Sequence, residues 1–123
     1  MSFIIAYTKQ DFEKIERIFE KIQKGIEAYG DYNPSLDDPL IMEVAKSIVA
    51  IEKLEAWLDN VESVEDVSAL TDAISKQRRD LLKAMEALAL NRRERLKQKT
   101  LGEIKDEIQG WIEELLGIKR KKA

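Results

Sequence analysis

From Asp38 to Ala89 apolar residues recur at steps of three and four, interrupted once, at Asp59-Asn60-Val61-Glu62. That periodicity belongs to amphipathic helices, and one polar interruption folds such a segment back on itself. The stretch predicts a long helical hairpin, with a first arm from Asp38 to about Asp59 and a second from Ser63 to about Ala89. Asp38 is placed to cap the first arm. Pro39 follows at the first helical position, where a missing N–H costs nothing. Ser63-Val64-Glu65-Asp66 has the form of a cap for the second arm. A hairpin of this length commits the chain to an all-α fold.

Leu40, Val44, Ile51, Leu54 and Leu58 form a heptad-like seam on the first arm, with Ser47 in register. Ile41, Met42, Ile48, Val49 and Trp57 stand off that seam. Between Leu40 and Ile51 the arm is therefore apolar around most of its girth, whereas a surface helix of a small monomer carries a polar back. We expect burial on a second side by another copy of the chain, with Leu40, Ile41, Val44, Ile48, Ile51 and Trp57 at the contact. The second arm presents Val67, Leu70, Ile74, Leu81, Leu82, Met85 and Leu88, and sets Gln77 in the seam between Ile74 and Leu81. A polar residue there either fixes register and copy number or marks a wet edge of the bundle. Gln77 is carried forward as an interface residue, with Arg78 and Arg79 at the edge.

A helix is expected on each flank of the hairpin. Thr8-Lys9-Gln10-Asp11 opens the first, which closes near Gly30. Phe12, Ile15, Phe19, Ile22 and Ile26 line one face, while Lys14, Arg17, Lys21 and Lys24 form a ridge roughly opposite. Glu13 with Arg17 and Glu20 with Lys24 are spaced for helical ion pairs. The ridge is either a solvated, self-paired surface or a row of phosphate contacts. Asp31-Tyr32-Asn33-Pro34-Ser35 reads as a loop. After Leu90, Asn91 has the form of a fresh cap, so a short helix is expected to restart at Arg92. Thr100-Leu101-Gly102-Glu103 caps the last helix, lined by Leu101, Ile104, Ile108, Trp111, Ile112 and Leu115 and stopped at Gly117. Residues 1–7 form an extended arm or pack on a neighbour. The expected organisation is a single domain over 1–123: an N-terminal helix (8–30), the hairpin (38–90), then a basic turn, C-terminal helix and tail (91–123).

Charge is unevenly spread. Residues 1–91 hold 11 Lys and Arg against 18 Asp and Glu, and residues 92–123 hold 10 against 6. The C-terminal third either meets an acidic partner or keeps a helical protein in solution. Arg92, Arg93, Arg95, Lys97 and Lys99 face only Glu94 within the same stretch. Arginine suits phosphate because its planar fork bonds two oxygens, and no aromatic residue interleaves to stack bases. These residues and the Lys14–Lys24 ridge are the candidate contacts to duplex DNA; the alternative for Arg92–Lys99 is a flexible turn screened by salt.

The chain contains no Cys and no His, so the common nucleophile–base pairs and thiolate metal sites are missing. Its glycines are isolated, with no phosphate-cradling loop. We expect no enzyme activity, no catalytic residue, no metal and no cofactor. No apolar run approaches the roughly 18 residues of a membrane span. Met1-Ser2-Phe3-Ile4-Ile5 lacks the basic flank of a signal peptide, so the expectation is a cytoplasmic protein without membrane contact.

Leu88-Ala89-Leu90-Asn91-Arg92-Arg93-Glu94-Arg95-Leu96 resembles a turn near the end of some phage terminase small subunits, where Leu-Gly-Leu-Thr-Pro precedes two variable residues and an Arg. The preceding order of an acid-capped helix and a second long helix is also similar, and the resemblance covers roughly residues 37–97. Ala89, Asn91 and Arg92 replace the Gly, Thr and Pro of that pattern; Asn91 keeps the capping chemistry of Thr. The resemblance implies a non-enzymatic, ring-forming homo-oligomer in the cytoplasm of an infected bacterial host. Such a subunit binds viral double-stranded DNA and delivers it to the large terminase subunit, which carries the ATPase and nuclease. It also implies an N-terminal helix-turn-helix, for which the first helix and the loop to Pro39 are the only candidates, with a long loop for that motif. The alternative is a helical regulator or assembly scaffold that binds protein and no nucleic acid.

Overall fold

The computed structural model describes residues 5–97 and 99–117. Met1–Ile4 of the expected arm, Gln98 of the basic turn and the Lys119–Lys122 tail lie outside the described residues. All regular structure described is helical: α1 (Lys9–Ala28), α2 (Pro34–Leu58), α3 (Val64–Arg95) and α4 (Leu101–Leu116). Each helix packs on the next and α4 closes back on α1, giving an up-down-up-down bundle. Ile15, Ile18, Ile22 and Ile26 of α1 meet Ile41, Val44, Ala45 and Ile48 of α2 in its core. Met85, Leu88 and Ala89 of α3 and Ile104, Ile108 and Ile112 of α4 complete it.

The ends of the helices follow local chemistry. Thr8 and Asp11 form the reciprocal cap of α1, and Thr100 and Glu103 that of α4. Ser63 accepts from the Asp66 N–H at the start of α3. Gly30 (φ 76°) and Gly117 (φ 72°) follow α1 and α4 in the left-handed region, which glycine enters without a Cβ clash. The hairpin turn falls between Leu58 and Val64, where the polar interruption places it.

Two boundaries differ from expectation. The first arm starts at Pro34, not Asp38, so Pro34 takes the first helical position and Pro39 lies inside. The Asn33 N–H donates to Asp37 Oδ2 at 3.0 Å, so Asp37 serves the opening turn from within. Pro39 removes only a bond to the carbonyl of Ser35, an exposed residue that water can serve. The second arm does not break at Ala89 or restart at Arg92. It runs unbroken to Arg95, and the Leu96 N–H closes it on the Arg92 carbonyl at 2.7 Å. A cap at Asn91 would break the helical phase that turns both Arg92 and Arg95 inward.

α1 and α4 end short of the hairpin tip. Asp11, in the first turn of α1, lies level with Lys53, and Glu114, near the end of α4, pairs with Lys21. Beyond them, Leu54, Leu70 and Ile74 form a second small core with Ile5, Leu58 and Val61. Lys53 Nζ lies 2.6 Å from Asp11 Oδ2. That contact, then the Thr8 N–H, holds the Asp11 carboxyl below the usual aspartate range. The stabilisation is present above the ordinary aspartate pKa and is lost as pH falls through the lowered value.

Gly25 sits mid-helix, where glycine costs about 1 kcal/mol relative to alanine. A Cβ there would lie 2.6 Å from the Trp111 ring, so glycine lets α4 lay its indole flat on α1. Overpacking of this kind costs about 1–3 kcal/mol. We expect Gly25→Ala to lower unfolding free energy in urea titrations, and to raise it in a Trp111→Ala background where the ring is gone. Asp11→Asn should flatten the acid limb of the stability–pH curve, read by circular dichroism.

Candidate functional site

Arg92 and Arg95 are three residues apart on α3, hence on one face. That face continues the buried line of Met85 and Leu88 into the α1–α2 loop. Arg92 is fully buried. Its Nε donates to Asp31 Oδ2 at 2.9 Å and its Nη2 to Asp31 Oδ1 at 3.2 Å, a bidentate pair. Nη1 lies 4.0 Å from Glu107 Oε2 on α4. The guanidinium carbon stands 5.4 Å from the ring centroids of both Tyr29 and Trp111, within cation–π range of each.

Arg95 donates to Asp37 Oδ2 at 2.5 Å and reaches Asp31 Oδ2 at 3.5 Å. Lys99 pairs with Glu107 and lies 4.4 Å above the Tyr29 ring. Its hydrogen bond to Glu107 holds the ammonium above the ordinary lysine range. Three carboxylates thus neutralise three cations at one end of the bundle. Beside them the Tyr32 hydroxyl accepts from Gln23 at 2.7 Å and donates to Asp38 Oδ1. The Asp38 contact raises the phenol above its usual value.

This cluster gives three cations of the basic turn partners within the chain: Arg92, Arg95 and Lys99 face Asp31, Asp37 and Glu107. The signal was present in the sequence. Arg92 falls four residues after Leu88 on a core-spaced line, and a cation on such a line needs a buried acid. Asp31, in the stretch that reads as a loop, is that acid, and Asp37 does the same for Arg95.

The α1 ridge divides similarly. Lys14 pairs with Glu52 of α2 and Lys21 with Glu114 of α4, so two of its cations tie helices together. The helical pairs Glu13–Arg17 and Glu20–Lys24 are not among the ion pairs of the described residues. Arg17 and Lys24 are exposed, as are Arg93 and Lys97, and none of the four pairs with a carboxylate among the described residues. These four remain accessible to an acidic ligand.

The expected oligomer contacts are redistributed too. Ile41, Val44 and Ile48 are buried in the core of a single chain, and Leu40 packs against its edge. α2 is indeed apolar around most of its girth, but α1 and α3 both cover it, so a second copy is not needed there. Ile51 and Gln77 are half-buried and Trp57 is 44% exposed. Trp57 lines a groove of about 410 Å³ with Ile5, Ala6, Leu54 and Asn60. The largest apolar exposure lies elsewhere, on α3, at Val64 (85%) and Leu82 (66%).

No group of three or more carboxylates is placed to hold a metal ion among the described residues. No helix of the described residues is long and apolar enough to cross a membrane. No family model, curated protein or solved structure matches the chain.

Removing one partner of a buried ion pair costs about 3–5 kcal/mol because the other charge is left without compensation. We expect Arg92→Met and Asp31→Asn each to destabilise by about that amount. The double variant should cost less than their sum in a denaturant-unfolding cycle; additive costs would mean the two do not act as a pair.

Proposed function

We propose that the chain is a non-enzymatic assembly adaptor of the small-terminase kind, a ring-forming oligomer that binds viral double-stranded DNA and hands it to the large, motor-bearing subunit. What carries the proposal is the likeness at Leu88–Leu96, reached through an acid-led helix and a second long helix. The all-helical hairpin is compatible with it. The continuous helix through Asn91 is a departure from the family's turn. On this reading DNA contact falls to the accessible cations Arg17, Lys24, Arg93 and Lys97. Lys24, Arg93 and Lys97 sit toward the same end of the bundle, since α1 ends at Tyr29 beside Arg92 and Lys99.

A second reading is a protein-binding regulator or scaffold without nucleic acid. Its support is the internal neutralisation of Arg92, Arg95 and Lys99 together with the acidic first 91 residues. The two separate on duplex binding. Each phosphate contact adds about one unit to the slope of log affinity against log salt. The adaptor reading expects binding at low salt, and Arg93→Ala with Lys97→Ala should reduce that slope by about two. No duplex binding at low salt would leave the scaffold reading.

A further inference from the structure

The outer face of α3 is unmatched within one chain. Val64 and Leu82 are its two most exposed apolar residues, and the most exposed large apolar residues of all those described. They are 18 residues apart, five full turns at 3.6 residues per turn, so they lie on one line along the helix. Leu82 borders a groove of about 390 Å³ between α3 and α4, lined also by Met85, Glu86, Lys105, Asp106 and Gln109. Val64 lies at the opposite end, beyond the reach of α4, where α3 packs on α2, the connecting turn and Ile5.

Charge along the same helix is split in two. Glu65, Asp66 and Asp72 hold the first part with no cation among them, and Lys76, Arg78, Arg79 and Lys83 follow with only Asp80 against them. Glu65, Asp72, Lys76 and Lys83 are exposed and share one flank of the Val64–Leu82 line. None of these four makes an ion pair among the described residues. Arg78 alone of the basic set is paired, with Glu55 at 2.7 Å.

We propose that α3 is a self-complementary docking surface whose partner is a second copy of this chain, laid antiparallel about a two-fold axis near the middle of the helix. One register then serves every pair. Val64 of each copy enters the groove beside Leu82 of the other. On the shared flank, which a two-fold axis brings face to face, Glu65 meets Lys83 and Asp72 meets Lys76. The arrangement forms each contact twice, which is the economy of an isologous interface. Charge complementarity selects the antiparallel sense, because the in-register parallel pairing sets acid against acid and base against base. The free hairpin tip of one copy thereby reaches the α4 wall of the other's groove, at Lys105, Asp106 and Gln109.

This inference rests on the proposed oligomeric reading only in part: a ring built from such pairs contains an even number of chains. The test is native mass, by native mass spectrometry and light scattering over a concentration series, on the full chain and four variants. The full chain is expected as a pair or an even multiple of pairs. Leu82→Glu should raise the Kd of the pair about tenfold or more, with unchanged helical circular dichroism because Leu82 is exposed. Glu65→Lys and Lys83→Glu should each weaken association, and the double variant should restore it. A monomer at all concentrations, an odd copy number, or variants that leave the mass unchanged would overturn the pairing. An odd ring that binds duplex DNA would leave the proposed function standing. An even assembly disrupted and rescued as stated but without DNA affinity would support the pairing and remove the packaging role.

Discussion

The bidentate contact between Arg92 and Asp31 joins elements that the hydrophobic core alone does not hold in register. Arg92 comes from the last turn of α3, Asp31 from the loop between α1 and α2, and the two neighbouring rings against which the guanidinium lies come from the end of α1 and from α4. One buried charge therefore couples three helices and a loop. Its desolvation cost is offset only while all of them are in place. That condition extends outward: Gly25 must lack a Cβ for Trp111 to lie against α1, and α2 must begin at Pro34 for Asp37 to meet Arg95. A core of isoleucines and leucines tolerates sliding of one helix past another. A bidentate fork held against two aromatic rings tolerates it far less.

The same interaction accounts for what was legible in the chain and what was not. Helix periodicity, the single hairpin turn and the caps at Thr8, Ser63 and Thr100 depend on residues within four positions of one another. All of them appear where local chemistry puts them. The start of α2 follows a second local signal, Pro34 at the first helical position with the Asn33 N–H bonded to Asp37, which outranks Asp38 before Pro39. The unbroken run of α3 through Asn91 depends on a partner 61 residues away, and there the local preference of Asn91 before Arg92 gives way to the ion pair with Asp31. The girth of α2 was read correctly as excess burial. Its cover comes from α1 and α3 of the same chain, because helix pairing around a bundle is not encoded in any one helix. Net charge and arginine chemistry mark the Arg92–Lys99 stretch as surface, while the phase of Arg92 relative to Leu88 turns that one residue inward.

Function follows from what this arrangement leaves outside. The cations at the charged end divide into a set held by Asp31, Asp37 and Glu107 and an accessible set of Lys24, Arg93 and Lys97. Two residues in the same basic run thus have opposite roles: Arg92 organises the fold and Arg93 is free to meet an acidic partner. The hairpin then separates a charged end from a tip that carries its own small core and leaves Val64 outside it. The proposed adaptor role draws on that division, with one part held within the chain and another available to neighbours.

Nitrogen-15 NMR of the arginine side chains, with and without duplex DNA at low salt, tests this division most directly. The account predicts a slowly exchanging Arg92 Nε–H, protected by burial and by its bond to Asp31, whose resonance does not move when DNA is added while that of Arg93 does. A rapidly exchanging Arg92 signal, or one that shifts with DNA as far as Arg93, would contradict it.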